Sequence, residues 1–154
     1  MHSGSSVSSD LRHDFAERLR DVQLARARLA NLTLAELLDR LPLEAARACG
    51  LERAVLEHVR RGRFERAPSE VIGRRRPLLV RDGVGAPAEL LGCTSFVVAP
   101  LVHANRPIAM LYGDRPGGPP LDEFDRDLLW TFASAAASVL HVATLSAVAR
   151  SRAM

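Results

Sequence analysis

Lysine is missing from this chain: all 21 of its basic residues are arginine. No side chain can therefore form a Schiff base, and a P-loop is excluded because that loop needs a lysine to reach the β- and γ-phosphates. The run GDRPGGPP reads as a turn, not a phosphate cradle. Isoleucine occurs only at Ile72 and Ile108 while Ala and Arg abound, a bias typical of a GC-rich genome. The two cysteines, Cys49 and Cys93, stand 44 positions apart with no C-x-x-C, so neither a zinc site nor a redox dithiol is indicated, and reduced thiols fit a cytoplasmic chain. Aromatic residues make up only 5% of the chain. The net charge of +3 is ordinary for a soluble domain, which makes the pI near 9.6 a weak pointer to nucleic acid.

What is present suits one compact domain. The 154 residues are 47% hydrophobic, enough for a sizeable core. Residues 1–9, MHSGSSVSS, lack the apolar centre of a signal peptide and read as a disordered leader. Residues 128–149 form a 22-residue run without Asp, Glu or Arg, long enough to cross a bilayer. Twelve of the 22 are Ala, Ser or Thr and His141 sits in mid-run, a composition that inserts poorly. A helix buried in a protein interface is expected there instead.

From Asp10 to about Asn31, Leu11, Phe15, Leu19, Val22, Ala25 and Leu29 recur at steps of three and four, the period of one helical face, with Leu32 continuing the series. This amphipathic helix, residues 10–32, is expected to dimerise the protein. Thr33 opens a capping box, T-L-A-E, for a second helix that is expected to kink or restart at Pro42 and to end near Cys49, with Gly50 as left-handed cap. Alternation in LERAVLEHVRRGRFERA around Gly62 predicts a hairpin, and PLLVRD a short third strand followed by a Gly/Pro-bearing loop. Phe96–Asp114 predicts a second hairpin turning near Ala104-Asn105-Arg106, and Asp122 caps a last helix with acidic residues in its first turn. The predicted order is helix, helix, strand pair, loop, three strands, long helix.

The hairpin of residues 96–114, FVVAPLVHANRPIAMLYGD, lacks a polar side. A strand with one face in water alternates apolar and polar residues, yet seven apolar residues follow one another from Phe96 to Val102. Both faces must be covered.

The pattern VVAPLVHANRPIAMLYGDR followed by LDEFDRDLLWTFASAAASVL resembles the GAF domain family, in which an apolar strand ending in Pro-Leu, a turn and a small-residue strand precede an acidic helix start. The resemblance spans roughly residues 33–147 and is greatest to sensory domains that precede helix-turn-helix output domains in high-GC bacteria. It implies an α/β (α+β) fold: a central antiparallel sheet with the N- and C-terminal helices on one face and a loop-covered pocket on the other, over a sensor domain of residues 33–150. By analogy and strand position, the pocket residues are Leu78, Val80, Leu91, Cys93, Val98, Met110 and Tyr112. The resemblance implies a non-enzymatic, small-molecule-sensing regulatory domain, part of or partner to a bacterial transcriptional or signalling regulator. A dimerisation scaffold with a filled pocket is the alternative, and a haem or redox sensor a third reading. The chain departs from three family activities. It has no N-K-x-D-E-like set of the cyclic-nucleotide binders, no Cys-His pair of the bilin binders and no cysteine trio of the methionine-sulfoxide reducers.

His2, His13, His58, His103 and His141 are the candidate haem ligands, but each is isolated in sequence, and an isolated histidine is more often a packed or surface residue. Nothing in LLGCTSF depresses the pKa of Cys93. Residues 53–81 hold nine Arg against Glu57, Glu65 and Glu70, a local charge of +6, which suits either an anion or nucleic-acid contact or an edge kept soluble by outward charge. Asp122, Glu123, Asp125 and Asp127 read as helix capping, not an acid/base or metal cluster. No cofactor or metal is assigned. The partners expected are a second copy through the terminal helices and a small apolar ligand, with DNA reached only through an output domain outside this chain and no membrane.

Overall fold

The computed structural model describes the backbone of residues 3–153 and the side chains of residues 14–153. Its centre is the predicted hairpin. Strand β3 (Phe96–His103) and strand β4 (Arg106–Asp114) pair antiparallel with Val98 opposite Tyr112 and Ala99 opposite Leu111. Ala104 and Asn105 turn the chain with φ of 49° and 65°, the left-handed pair that matches strand twist. Gly113 is glycine for want of space: a Cβ there would lie 2.3 Å from Leu51 Cδ1. Strand β1 (Arg53–His58) flanks β4 and strand β2 (Leu78–Val80) flanks β3, in the order β1-β4-β3-β2.

Both faces of the hairpin are covered. On one side Val97, Ala99, Leu101, Ala109 and Leu111 join a core supplied by three helices: α1 (Ser3–Leu29), α2 (Leu34–Cys49) and α5 (Glu123–Ala153). Helix α5 lies along β3 through Leu128, Leu129, Phe132, Ala133 and Ala136, α2 reaches β1, and α1 packs over both helices. Ala and small residues let the helices approach closely. Arg28 makes a bidentate bond to Glu44 at 2.8–3.1 Å, fastening α1 to α2, and Arg26 Nε donates to the Ala135 carbonyl at 3.2 Å. On the other side, Phe96, Val98, Met110 and Tyr112 form a second apolar cluster beneath two six-residue helices, α3 (Ser69–Arg74) and α4 (Ala86–Leu91).

The helix ends follow the sequence. Thr33 Oγ1 accepts the Glu36 amide at 3.2 Å, and Gly50 closes α2 with φ 65°. Asp122 and Asp125 cap α5 reciprocally, each carboxylate accepting the other's amide at 3.0–3.1 Å. Asp125 does more than cap. It is buried and bidentate with Arg115 at 2.9–3.1 Å, while Arg115 also donates to the Gly50 carbonyl. This one carboxylate joins the loop after β4, the end of α2 and the start of α5.

Three expectations need correction. Of the two outcomes expected at Pro42, a restart is not seen: helix α2 continues through it, where packing of Leu37, Leu41 and Ala45 in the core offsets one lost helical bond. The stretch after Glu52 gives one strand instead of a hairpin. The Arg61-Gly62 turn forms, with mutual Arg60 and Arg63 backbone bonds of 2.9–3.0 Å, but β1 pairs with β4 and the return arm leaves the sheet. The segment read as a disordered leader contains the start of α1 at Ser3, since extending an existing helix costs less than nucleating one. His2 and the side chains of Leu11 and His13 lie outside the described residues.

Asp125→Ala removes the cap and leaves the Arg115 guanidinium without its carboxylate. A loss of about 3 kcal/mol in unfolding free energy is expected, readable by urea denaturation, against under about 0.5 kcal/mol for the exposed Asp127→Ala.

Candidate functional site

The face of the sheet turned away from the long helices is the candidate site. Residue alternation puts Val55 and Glu57 of β1, Met110 and Tyr112 of β4, Phe96 and Val98 of β3, and Leu78 and Val80 of β2 on this face. Val71 and Ile72 of α3, Ala88, Leu90 and Leu91 of α4, and Phe64, Ala67 and Cys93 of the connecting loops close over it. All seven sequence-predicted residues, Leu78, Val80, Leu91, Cys93, Val98, Met110 and Tyr112, belong to this one cluster. They pack on one another instead of lining a shared open cavity. The rings of Phe96 and Tyr112 stand 6.3 Å apart at 58°.

Two carboxylates on this face tether its roof. Glu57 Oε1 accepts the Tyr112 hydroxyl at 3.0 Å, and its Oε2 accepts the Glu65 and Arg66 amides at 2.9 Å each, holding the loop that carries Phe64 and Ala67. Asp114, 1% exposed, binds the Arg53 guanidinium, which also donates to the Leu91 carbonyl at the end of α4. The roof is thus pinned at both ends by charge-assisted bonds while its middle rests on apolar contact. Sequence reasoning missed both tethers and both short helices. A signal for α4 existed: Pro87 near its start and Gly92, at φ 68°, just past its end mark the two ends of a helix.

A cavity of about 370 Å³ adjoins the β2 side, lined in part by Val80, Cys93, Ser95, Arg115 and Leu121. At the opposite end a hollow of about 700 Å³ lies between the β3–β4 turn region and α3, lined by Val59, Phe64, Ile72, Pro107 and Ile108.

The chemistry of this face is muted. Burial pushes the Cys93 thiol up to about 11, with the neighbouring Asp114 adding to the effect. Burial likewise raises Cys49 to about 12. The two sulfurs lie on opposite faces of the sheet, Cys49 in the helical core and Cys93 under the roof. Burial and Glu57 raise the Tyr112 hydroxyl. The described imidazoles lie elsewhere: His58 is at the end of β1, its pKa lowered by burial and by Arg60, and His103 stacks on His141 of α5 at 3.6 Å. Among the described residues, no three His, Cys, Asp or Glu side chains are grouped to hold a metal ion.

Of the nine arginines in residues 53–81, Arg53 is tied to Asp114, Arg74 lies 3.4 Å from Glu70, and Arg81 donates to the Leu121 carbonyl at 3.2 Å. Arg60, Arg61, Arg63, Arg66, Arg75 and Arg76 are exposed.

Two outcomes follow from this geometry. Tyr112→Phe removes a donor from Glu57 and should lower stability by about 1–2 kcal/mol in chemical denaturation, with faster hydrogen exchange at the Glu65 and Arg66 amides. Alkylation of Cys93 in a Cys49→Ala variant should rise with pH along a curve centred near 11. A thiol whose folded pKa is raised contributes stability below its unfolded pKa and loses it as pH climbs towards the folded one, so stability should fall from about pH 9 upwards.

The profile of a family described as GAF domain matches residues 16–141. No curated protein matches the chain. Among solved structures, the GAF domain of a putative sensor histidine kinase from Pseudomonas syringae pv. tomato is similar at TM-score 0.68 and 15% identity, covering 94% of this chain and 99% of that one. The GAF domain of a phosphoenolpyruvate-protein phosphotransferase from Coxiella burnetii is similar at TM-score 0.65 and 14% identity, covering 86% and 98%. Free methionine-R-sulfoxide reductase from Neisseria meningitidis, in complex with its substrate, is similar at TM-score 0.65 and 16% identity, covering 85% and 92%. At these identities the likeness is one of fold.

Proposed function

The chain belongs to the GAF domain family, and from that premise we propose that it is a non-enzymatic, cytoplasmic sensor of a small, largely apolar molecule, serving a bacterial transcriptional or signalling regulator. The observation that carries this reading is the second face of the sheet. An apolar strand surface lies under a roof of two six-residue helices tethered at its ends by Glu57 and Asp114, with Tyr112 as its central polar group. Short helices held mostly by side-chain contact are the part of such a fold that opens at low cost. A ligand entering there replaces contacts among Leu78, Val80, Leu91, Val98, Met110 and Tyr112, with Cys93 at the rim. Because β3 and β4 carry both layers, a shift on the ligand side displaces the helices behind them.

The absence of enzymatic chemistry in this reading is supported by both thiols being held protonated and lying on opposite faces of the sheet.

Dimerisation through the terminal helices completes the proposal. Phe15 and Leu24 of α1 and Val142, Leu145 and Val148 of α5 are exposed, Val142 at 60% and Leu145 at 56%. A hollow of about 740 Å³ lies between the end of α1 and the later turns of α5, lined by Leu32, Val139, Val142 and Ala143 among others. A helix that is apolar beyond what its own core covers is satisfied by a second copy. Helix α5 is also apolar and long enough to cross a membrane, with 33% of its most apolar window buried inside the fold. Its buried side packs on the sheet through the residues named above.

A second reading, a dimerisation scaffold, is favoured by the mutual packing of the seven pocket residues. Native mass spectrometry of freshly purified protein separates the two. A retained small molecule, lost on Val98→Trp, supports sensing, and a uniformly empty chain with no response to apolar ligands supports the scaffold. Light scattering at about 50 µM, in the range of ordinary interface affinities, should give a dimer that Leu145→Arg converts to monomer. A monomeric parent chain refutes the dimer.

A further inference from the structure

Among the described residues, none pairs with the outer edge of β1. In the order β1-β4-β3-β2 this six-residue strand has a neighbour on one side only. The Val59 amide donates to the Ile108 carbonyl at 3.2 Å, which sets the parity of the ladder: Arg53, Val55 and Glu57 turn their backbone groups to β4, whereas Ala54, Leu56 and His58 turn theirs outward. The segment that would have covered them starts back at Arg61-Gly62 and is then captured on the ligand face, where Glu57 accepts the Glu65 and Arg66 amides. Among the described residues, no return strand lies beside Ala54–His58.

A groove of about 640 Å³ runs along this edge. Its floor is formed by all five residues from Ala54 to His58, one wall by Leu38 and Pro42 of α2, and the other by Leu90 and Arg66. Natural edge strands are usually blunted by proline, an inward-pointing charge or extreme shortness. β1 has no proline and runs for six residues, and the charge of Glu57 is directed at Tyr112 and two amides. The other edge, β2, has only three residues.

Charge selects the occupant. Arg60, Arg63 and Arg66 line the groove towards its exit from β1, are exposed, and have no carboxylate partner among the described residues, while Glu65 is the one unengaged acid beside them. Two copies of β1 paired antiparallel about a two-fold axis would set each arginine group against the start of the other strand, where Glu52 already accepts the Gly117 amide. A positive groove with free backbone donors and acceptors instead fits an extended chain bearing carboxylates.

We propose that the free edge of β1 is a strand-addition site for an extended acidic segment of a partner protein. The segment pairs its backbone with Ala54, Leu56 and His58, rests small or branched side chains on Leu38 and Pro42, and places its acidic residues against Arg60, Arg63 and Arg66. This site borders the roof of the ligand face, sharing Leu90 and the Arg66 loop with it, and is separate from the exposed faces of α1 and α5.

The test uses the full chain and the fluorescein-labelled peptide Glu-Val-Thr-Val-Glu-Asp, a Lys-substituted version, and a version N-methylated at alternate residues. Anisotropy should report saturable binding of the acidic peptide, weakened at least tenfold by N-methylation, by the Lys version and by Arg63→Glu with Arg66→Glu. Hydrogen exchange at Ala54, Leu56 and His58 should slow on binding. His58→Pro, which deletes one outward amide at a position an edge strand tolerates, should weaken binding with the fold retained; if that variant unfolds, the N-methylated peptide tests the backbone bonds with the protein unaltered. Three results overturn the proposal: no binding at millimolar peptide, binding indifferent to N-methylation, or protection of the three amides that rises with protein concentration in the absence of peptide, which assigns the edge to a second copy.

Discussion

Two-sided burial of the β3–β4 hairpin is the constraint from which the rest of the molecule follows. Val97, Ala99, Leu101, Ala109 and Leu111 need the helical layer, and Phe96, Val98, Met110 and Tyr112 need a separate cover. At about 25 cal/mol per Å² of apolar surface removed from water, leaving either face wet would cost more than such a domain's net stability. The long terminal helices answer the first need. Because the chain segments that answer the second are short, the cover is built from six-residue helices and loops and requires fastening.

The fastening is electrostatic and comes from the sheet. Glu57 and Asp114 lie on the face that the roof covers; Glu57 accepts amides of the roof loop directly, and Asp114 holds Arg53 of β1, which donates to the Leu91 carbonyl of the roof. A third acid, Asp125, performs the same service at the other corner, joining Arg115, the end of α2 and the start of α5. Each is buried or half-buried and fully hydrogen-bonded, the condition under which a carboxylate inside a protein stabilises. Glu57 has a second consequence. By holding the chain after Gly62 on the roofed face of the sheet, it leaves the edge of β1 without the strand that the sequence alternation suggests.

Much of the fold was legible in the residues. The unbroken apolar run of Phe96–Val102 announced the central hairpin, the left-handed pair at Ala104-Asn105 its turn, Thr33 and Gly50 the limits of α2, and Asp122 the start of α5. These signals are local: capping, turn chemistry and period act within a few residues of themselves. The seven residues proposed for a pocket, chosen by strand position and family resemblance, fall in one cluster. The exceptions all involve distant partners. Pro42 did not break α2 because the core held it, and the β1 alternation did not yield a hairpin because β4 and Glu57 competed for the same backbone.

By itself, then, the sequence determined the elements with long or strongly capped patterns, the need to cover both faces of the hairpin, and the exclusion of lysine-dependent chemistry. Tertiary structure alone decided which acids became tethers, that Cys49 and Cys93 fall on opposite faces, and that β1 keeps an open edge beside a basic rim. The division has one physical cause. Local propensity and hydrophobic period are properties of neighbouring residues, whereas a carboxylate such as Asp114 or Glu57 takes its role from groups many positions away, and only the folded chain brings those within hydrogen-bond reach.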